Sequence, residues 1–180
     1  MVSATAIEPA AADQASAAVW QILNTVPDPE IPVISICDLG IVRDVKTGGD
    51  ATHRTADIVI TPTYSGCPAM QMIEQDIRSR LAAAGFATVR ITTTFSPAWS
   101  TDWINDDALA RLREYGIAPP GKTGGDTAVV RFVSRRHAGP ACPQCGSIET
   151  ERLSEFGSTA CKAMYRCLEC REPFDYFKPI

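Results

Sequence analysis

Two cysteine pairs near the carboxyl end of the sequence constrain the fold more than any other feature. Cys142 and Cys145 are two residues apart, and so are Cys167 and Cys170. A CxxC turn lets two thiolates converge on one ion while loop amides point at the sulfurs, and four soft ligands suit tetrahedral Zn²⁺. Gly146 follows the first pair at a position that often needs a positive φ. The spacing therefore predicts one structural zinc site, with Cys142, Cys145, Cys167 and Cys170 as its ligands.

Composition limits the remaining classes of protein. The chain has 180 residues, 45% of them apolar, and a formal net charge of −4, which suits a globular domain with a small appendage and argues against a nucleic-acid-binding surface. The Ala-rich start to Ala18 has no Lys or Arg and fits neither a secretory signal nor a transit peptide, and no stretch is long enough for a membrane span. Seven cysteines without an export signal favour the cytoplasm.

Hydrophobic periodicity predicts a series of short elements. The apolar stripe Met70, Ile73, Ile77 and Leu81 marks a helix that starts after Pro68, and alternation predicts a strand hairpin before it. The predicted elements, in order, are helix 15–26, a strand from near Ile41, strand 56–61, the Pro68 helix, strand 88–95 and helix 103–115. This order indicates an α+β fold in which helices cover one face of a small sheet.

The same pattern predicts three segments along the chain. Residues 1–14 are expected to be a disordered tail, residues 15–134 the α+β domain, and residues 139–180 the zinc ribbon. The Pro- and Gly-rich stretch 117–125 is the predicted linker, followed by a last strand at 128–134 that leads into the ribbon.

Cys67 is the thiol most suited to chemistry. The order strand, Gly66, Cys67, Pro68 places it at the amino end of a helix, where unpaired N–H groups and the helix dipole stabilise an anion. This position predicts a thiolate that forms more readily than that of a free cysteine. A small buried capping residue without chemistry is the alternative.

Asp28 and Glu30 lie one residue apart in a loop stiffened by Pro27, Pro29 and Pro32. Such a pair suits a hard metal ion or a basic partner surface, and an ordinary solvated loop is the alternative. If the loop folds back beside Cys67, the carboxylates and the thiol form one site.

The remaining polar residues indicate no catalytic constellation. Neither His53 nor His137 belongs to a pattern, so a hydrolytic triad is not expected and no residue is assigned as catalytic. Cys37 has apolar neighbours and is expected in the core, while Cys161 shares a strand face with Cys167 but has no CxxC partner. Trp99 and Trp103 are expected in the core or facing a partner.

Four segments carry a resemblance to a known family. The chain resembles the iron–sulfur assembly family of SufT and the eukaryotic cytosolic targeting factors at Asp28–Pro32, Asp38–Val42, Thr61–Pro68 and Ser96–Trp99. Together with the cysteine ribbon, it is similar to the PaaD family of accessory proteins for the multicomponent phenylacetyl-CoA epoxidase. The resemblance covers nearly all of the chain after Ala18.

The resemblance implies a cytoplasmic accessory protein that helps mature or deliver an iron or iron–sulfur centre. Its partners would be the oxygenase or reductase components of the epoxidase, with no nucleic acid and no membrane, and a homodimer is left open. Cys67 would be the family's reactive cysteine, and Asp28 and Glu30 its acidic motif. The implied cofactors are structural zinc and transient iron or an iron–sulfur cluster.

Two other functions stay open from the sequence. A rubredoxin-like iron site in the ribbon would make the protein an electron carrier, but the second cysteine pair lacks the flanking Pro and Gly that rubredoxins usually show. A zinc-ribbon nucleic-acid binder is disfavoured because acidic residues outnumber basic ones in the ribbon.

Overall fold

The computed structural model describes residues 9–121 and 139–180. The described residues form two compact units, a first that ends at Ala98 and a second over Trp99–Ile180. No helix in these ranges is long and apolar enough to cross a bilayer.

The first unit is a three-stranded sheet with two helices. Its elements are α1 (Pro9–Leu23), β1 (Val42–Gly49), β2 (Arg54–Ile60), α2 (Ala69–Ala83) and β3 (Phe86–Thr93). The strands lie in the order β1-β2-β3, with β1 antiparallel to β2, and β2 parallel to β3 through the α2 crossover.

The core of the first unit lies between the sheet and its helices. Ala56, Ile58 and Ile60 alternate along β2 and are all buried. The stripe predicted on α2 is confirmed, because Ile73, Ile77 and Leu81 are buried as well. The α+β prediction is therefore confirmed.

Helix α1 differs from its predicted bounds at both ends. It already includes Pro9, ahead of the predicted start at Ala15, since the Ala-rich segment is a strong helix former. It ends at Leu23 rather than Val26, because Asn24 Nδ2 and Thr25 Oγ1 donate back to the carbonyls of the last turn, Trp20 O and Ile22 O.

The second unit is built on a four-stranded sheet. A 3₁₀ turn (Thr101–Trp103) precedes α3 (Asp106–Glu114), β4 (Ile117–Ala118), β5 (Thr150–Ser154), β6 (Lys162–Cys167) and β7 (Pro173–Phe177). The strand order is β4-β7-β6-β5, and β4 runs parallel to β7. Trp99 is buried and its ring lies 6.1 Å from that of Phe177, which confirms its place in the core.

The second unit includes chain that the sequence assigned to the first domain and the linker. Helix α3 is shorter than predicted and starts after Asn105, whose Oδ1 accepts the Ala108 N–H at 2.7 Å. Ile117 and Ala118, predicted as linker, pair with Asp175 and Tyr176 of β7. The structure thus divides the chain after Ala98, whereas the sequence placed the junction at 134–139. The strand predicted at 128–134 lies outside the described residues.

Candidate functional site

The four cysteines of the ribbon converge on one point. The Sγ atoms of Cys142, Cys145, Cys167 and Cys170 all lie within 4.8 Å of one another. The Cys142–Cys170 separation is 3.7 Å and the Cys145–Cys167 separation is 3.5 Å. Four sulfurs at about 2.3 Å from a tetrahedral zinc ion would be about 3.8 Å apart. The donor set and its dimensions therefore fit one tetrahedral metal ion.

Backbone amides surround the ligand sulfurs. The N–H groups of Cys170 and Glu169 point at the Cys167 sulfur and lower the pKa of this thiol to about 7. Ser147 N–H points in the same way at Cys145, although the Cys167 thiol and burial raise the pKa of Cys145 overall. Amides in this arrangement stabilise thiolates, which is the form that a metal ion binds.

The two cysteine turns use different residues at the position after the second cysteine. Gly146 has a φ of 77°, which confirms the predicted left-handed conformation. In the second turn Arg171 takes a φ of 67°, and it is the one described non-glycine residue with a positive φ. A side chain in this conformation costs about 1 kcal/mol relative to glycine.

The metal ligands are part of the core of the ribbon. Cys142 and Cys167 are buried against Phe174 and Ala118, with Tyr165, Cys170 and Tyr176 packed around them. The buried Cys161 lies apart from this set, and its sulfur is 3.1 Å from Thr159 Oγ1. The ribbon core thus includes Ala118, from the segment that the sequence assigned to the linker.

Cys67 lies in a tight turn before α2. The N–H of Cys67 donates to the Tyr64 carbonyl at 3.3 Å, and Gly66 has a φ of 90° inside this turn. The N–H groups of Ala69 and Met70 point at the Cys67 sulfur. Pro68 occupies the N-cap position, with φ −69° and ψ −22°, so the sulfur caps the first turn of the helix.

The pKa of the Cys67 thiol is raised, and the expected ready thiolate is therefore wrong for the free protein. Burial of the half-exposed sulfur is the largest cause, and the negative charge of Asp28 adds to it. The Ala69 and Met70 amides and the Tyr64 hydroxyl lower the pKa, but they do not offset the loss of solvation. The thiol is protonated at neutral pH.

Asp28 and Glu30 have different environments. Asp28 is only 7% exposed, and its Oδ1 accepts the N–H groups of Glu30 and Ile31, each at 2.9 Å. The loop is closed by Asp28 N–H to Ile34 O at 2.9 Å and Ile36 N–H to Val26 O at 3.0 Å. Glu30 is exposed. The structure thus brings Asp28 within electrostatic range of Cys67.

Two residues of the segment that leads to Cys67 were missed by the sequence reasoning. The Tyr64 hydroxyl is a hydrogen-bond partner of the Cys67 sulfur. Thr61 Oγ1 is buried and has no hydrogen-bond partner, the one such side-chain atom in the described ranges. Both belong to the Thr61–Pro68 segment, which the sequence had already singled out. Their roles were not predictable, because the direction of a side chain in a loop follows no periodic pattern.

Cys37 is half-buried and chemically quiet. Burial, with a contribution from Asp38, raises the pKa of its thiol to about 12. Ser35 N–H and Oγ both donate to Asp38 Oδ2, at 2.9 Å and 2.8 Å, which holds this carboxylate in place. Cys37 therefore serves as a useful contrast to Cys67.

Sequence comparison identifies both units. Residues 126–178 match the family described as the PaaD zinc beta ribbon domain, and residues 16–93 match the family of iron–sulfur cluster assembly proteins. A domain of unknown function (DUF59) from Bacillus anthracis has a TM-score of 0.52 and 25% identity, covering 58% of this chain and 97% of that one.

Two relatives extend the comparison. A Porphyromonas gingivalis (strain ATCC BAA-308 / W83) Fe-S protein maturation auxiliary factor is 36% identical over 93 residues, covering 51% of this chain and 85% of the relative. An Escherichia coli (strain K12) protein, provisionally named as one of the 1,2-phenylacetyl-CoA epoxidase subunits, is 49% identical over 164 residues, covering 90% of this chain and 92% of the relative. With the converging cysteines of the ribbon and the assembly domain before it, the chain belongs to the PaaD family.

Proposed function

We propose that this protein is a maturation factor for the multicomponent phenylacetyl-CoA epoxidase of aerobic phenylacetate degradation. It would assist the assembly or delivery of an iron or iron–sulfur centre in the oxygenase or reductase, as a non-catalytic partner. Similarity to the E. coli protein over 164 residues supports the epoxidase as client. The match of residues 16–93 to iron–sulfur cluster assembly proteins supports the kind of task.

The Cys67 site is the observation that carries this proposal. The Cys67 turn follows β2 at the end of the sheet where the parallel strands β2 and β3 finish, an edge where α/β sheets commonly bind ligands. A soft sulfur and the hard oxygen of Asp28 in one electrostatic environment suit iron as a transient cargo. The Ala69 and Met70 amides would then support the thiolate once a cation offsets the charge of Asp28.

The exposed Glu30 has a different role in this proposal. Its carboxylate extends the acidic loop to the surface, where it would meet a basic surface of the partner. Asp28, whose Oδ1 holds the turn, keeps the loop in one conformation for that contact.

The ribbon would serve as a stable docking module with Zn²⁺ held by Cys142, Cys145, Cys167 and Cys170. A bound zinc ion has no redox chemistry and supplies folding energy to a closed four-sulfur site. Because Cys142 and Cys167 are also core residues, the metal and the apolar core stabilise the same structure.

The test is the metal content of the client. The epoxidase components are co-expressed with the wild-type protein, with Cys67→Ser and with Cys37→Ser, and iron and cluster absorbance are measured on the purified oxygenase and reductase. We expect Cys67→Ser to fold normally, since serine is a good capping residue, and to lower the metal content of a client to the level without this protein.

Cys37→Ser is the matched control, because it removes another half-buried thiol of the first unit. It should support maturation as the wild type does. Full client loading with a folded Cys67→Ser protein would reduce Cys67 to a cap and refute its proposed role.

A further inference from the structure

Strand β3 forms one edge of the first unit's sheet. Its strand partner is β2, and among the described elements it otherwise packs against α2. Thr94 N–H donates to Ile60 O at 2.8 Å, so the even-numbered residues at this end of β3 direct their backbone groups toward β2. The backbone groups of Val89, Ile91 and Thr93 therefore point away from the sheet.

One backbone acceptor on this outer edge is already occupied. Arg78 of α2 donates from Nη1 to the Val89 carbonyl at 2.6 Å. This contact confirms that Val89 points outward, and it occupies the acceptor that a further strand would use. Beyond this contact, the open part of the edge is the stretch from Ile91 to Thr93, about 10 Å long at roughly 3.3 Å per residue.

The open part lies at the Cys67 end of the unit. Thr93 is paired with Ile60, the last residue of β2, and the chain leads from Ile60 through the Cys67 turn into α2. Phe95 lies two residues after Thr93 and is 62% exposed. An unpaired backbone edge and an exposed aromatic ring therefore adjoin each other at the same end of the sheet as the thiol.

We propose that the open edge of β3 binds an extended segment of the client protein, which pairs with Ile91 and Thr93 as an added strand and places an apolar side chain on Phe95. This inference rests on the proposed function, and it identifies the surface through which a client reaches Cys67. Strand addition suits such a surface because backbone hydrogen bonds supply affinity and a neighbouring apolar contact supplies selectivity.

The dimensions of the edge favour a peptide segment over a second copy of this chain. A stable dimer buries roughly 1,200 Å² or more, and an edge that the Arg78 contact interrupts at Val89, leaving a stretch of about 10 Å beyond it, cannot supply this area by strand pairing. An extended segment does not need a large flat surface, since it orders only the residues that pair.

Residue-level amide exchange tests the proposal. In the free full-length protein, we expect the Ile91 and Thr93 amides to exchange rapidly and the Thr92 and Thr94 amides slowly. On addition of the purified epoxidase oxygenase or reductase, exchange at Ile91 and Thr93 should slow at least about tenfold. A complex that leaves both amides in rapid exchange overturns the proposed surface and leaves the maturation function standing. Protection that instead rises with the concentration of this protein alone identifies a second copy as the occupant and overturns the client segment.

Paired variants give an independent measurement. Thr93→Pro removes an outward N–H from an exposed position, and Thr93→Val keeps it. We expect Thr93→Pro to weaken client binding about tenfold and Thr93→Val to leave it unchanged. Arg78→Ala should strengthen binding by freeing Val89 O, while Arg78→Lys should not. Equal binding by all four variants overturns the proposal, and the absence of any complex with wild-type protein overturns the proposed client as well.

Discussion

At the scale of single residues, the charge of Asp28 adds to burial in raising the pKa of Cys67. Asp28→Asn keeps an oxygen for the Glu30 and Ile31 amides but removes the charge that raises the Cys67 pKa. We expect alkylation of Cys67 by iodoacetamide near pH 8 to quicken about two- to fivefold. Glu30→Gln changes the net charge equally and should have no such effect. If both variants accelerate Cys67 alkylation equally, the cause is the change in net charge and not the position of Asp28.

The half-buried thiol of Cys37 is expected to make the folded protein less stable in alkaline solution. Its thiol has a pKa near 9 when unfolded and about 12 when folded, so the unfolded chain releases its proton first as the pH rises. The stability that Cys37 contributes is complete below pH 9 and is lost between about pH 9 and 12, by at most about 1.4 kcal/mol per pH unit. Urea unfolding under reducing conditions should show a shallower decline for Cys37→Ser. Identical slopes would place Cys37 in solvent.

At the scale of elements, the second cysteine turn carries avoidable strain. Arg171 has a φ of 67°, so Arg171→Gly should stabilise the metal-loaded ribbon by about 0.5–1 kcal/mol. Gly146→Ala should destabilise the first turn by about 1 kcal/mol for the same reason. Thermal melting of the metal-loaded protein measures both. Arg171→Ala is the control for charge, and a gain equal to that of Arg171→Gly would refute the conformational explanation.

Elements with strong local patterns were predictable from the sequence, and those set by distant contacts were not. The apolar stripe of α2 and the alternation of the strand hairpin follow the periods of a helix and a strand. The two CxxC turns are recognised by their fixed cysteine spacing. Strand β4 has only Ile117 and Ala118, so its pairing with β7 leaves no periodic trace. The raised pKa of Cys67 depends on burial and on the charge of Asp28. Neither can be read from the position of Cys67 before a predicted helix.

At the scale of the whole molecule, the metal should control the second unit alone. Chelation, or Cys167→Ser, should unfold it and shift tryptophan emission to the red, because Trp99 packs on Phe177. Amide resonances of residues 16–93 should keep their positions. Metal analysis should give about one equivalent of zinc without a visible band, and Cys161→Ser should retain it. A red, iron-loaded ribbon would instead place the protein among rubredoxin-like electron carriers.

The parallel pairing of β4 with β7 sets an order of events during synthesis. Every strand of the first unit has been translated by Thr93, so the Cys67 turn has its sheet partners early. Ile117 and Ala118 have none until Asp175 and Tyr176 leave the ribosome, after all four metal ligands. The chain therefore forms its thiol site before its metal-bound module. A newly made chain that lacks metal would have the folded Cys67 turn without a folded ribbon.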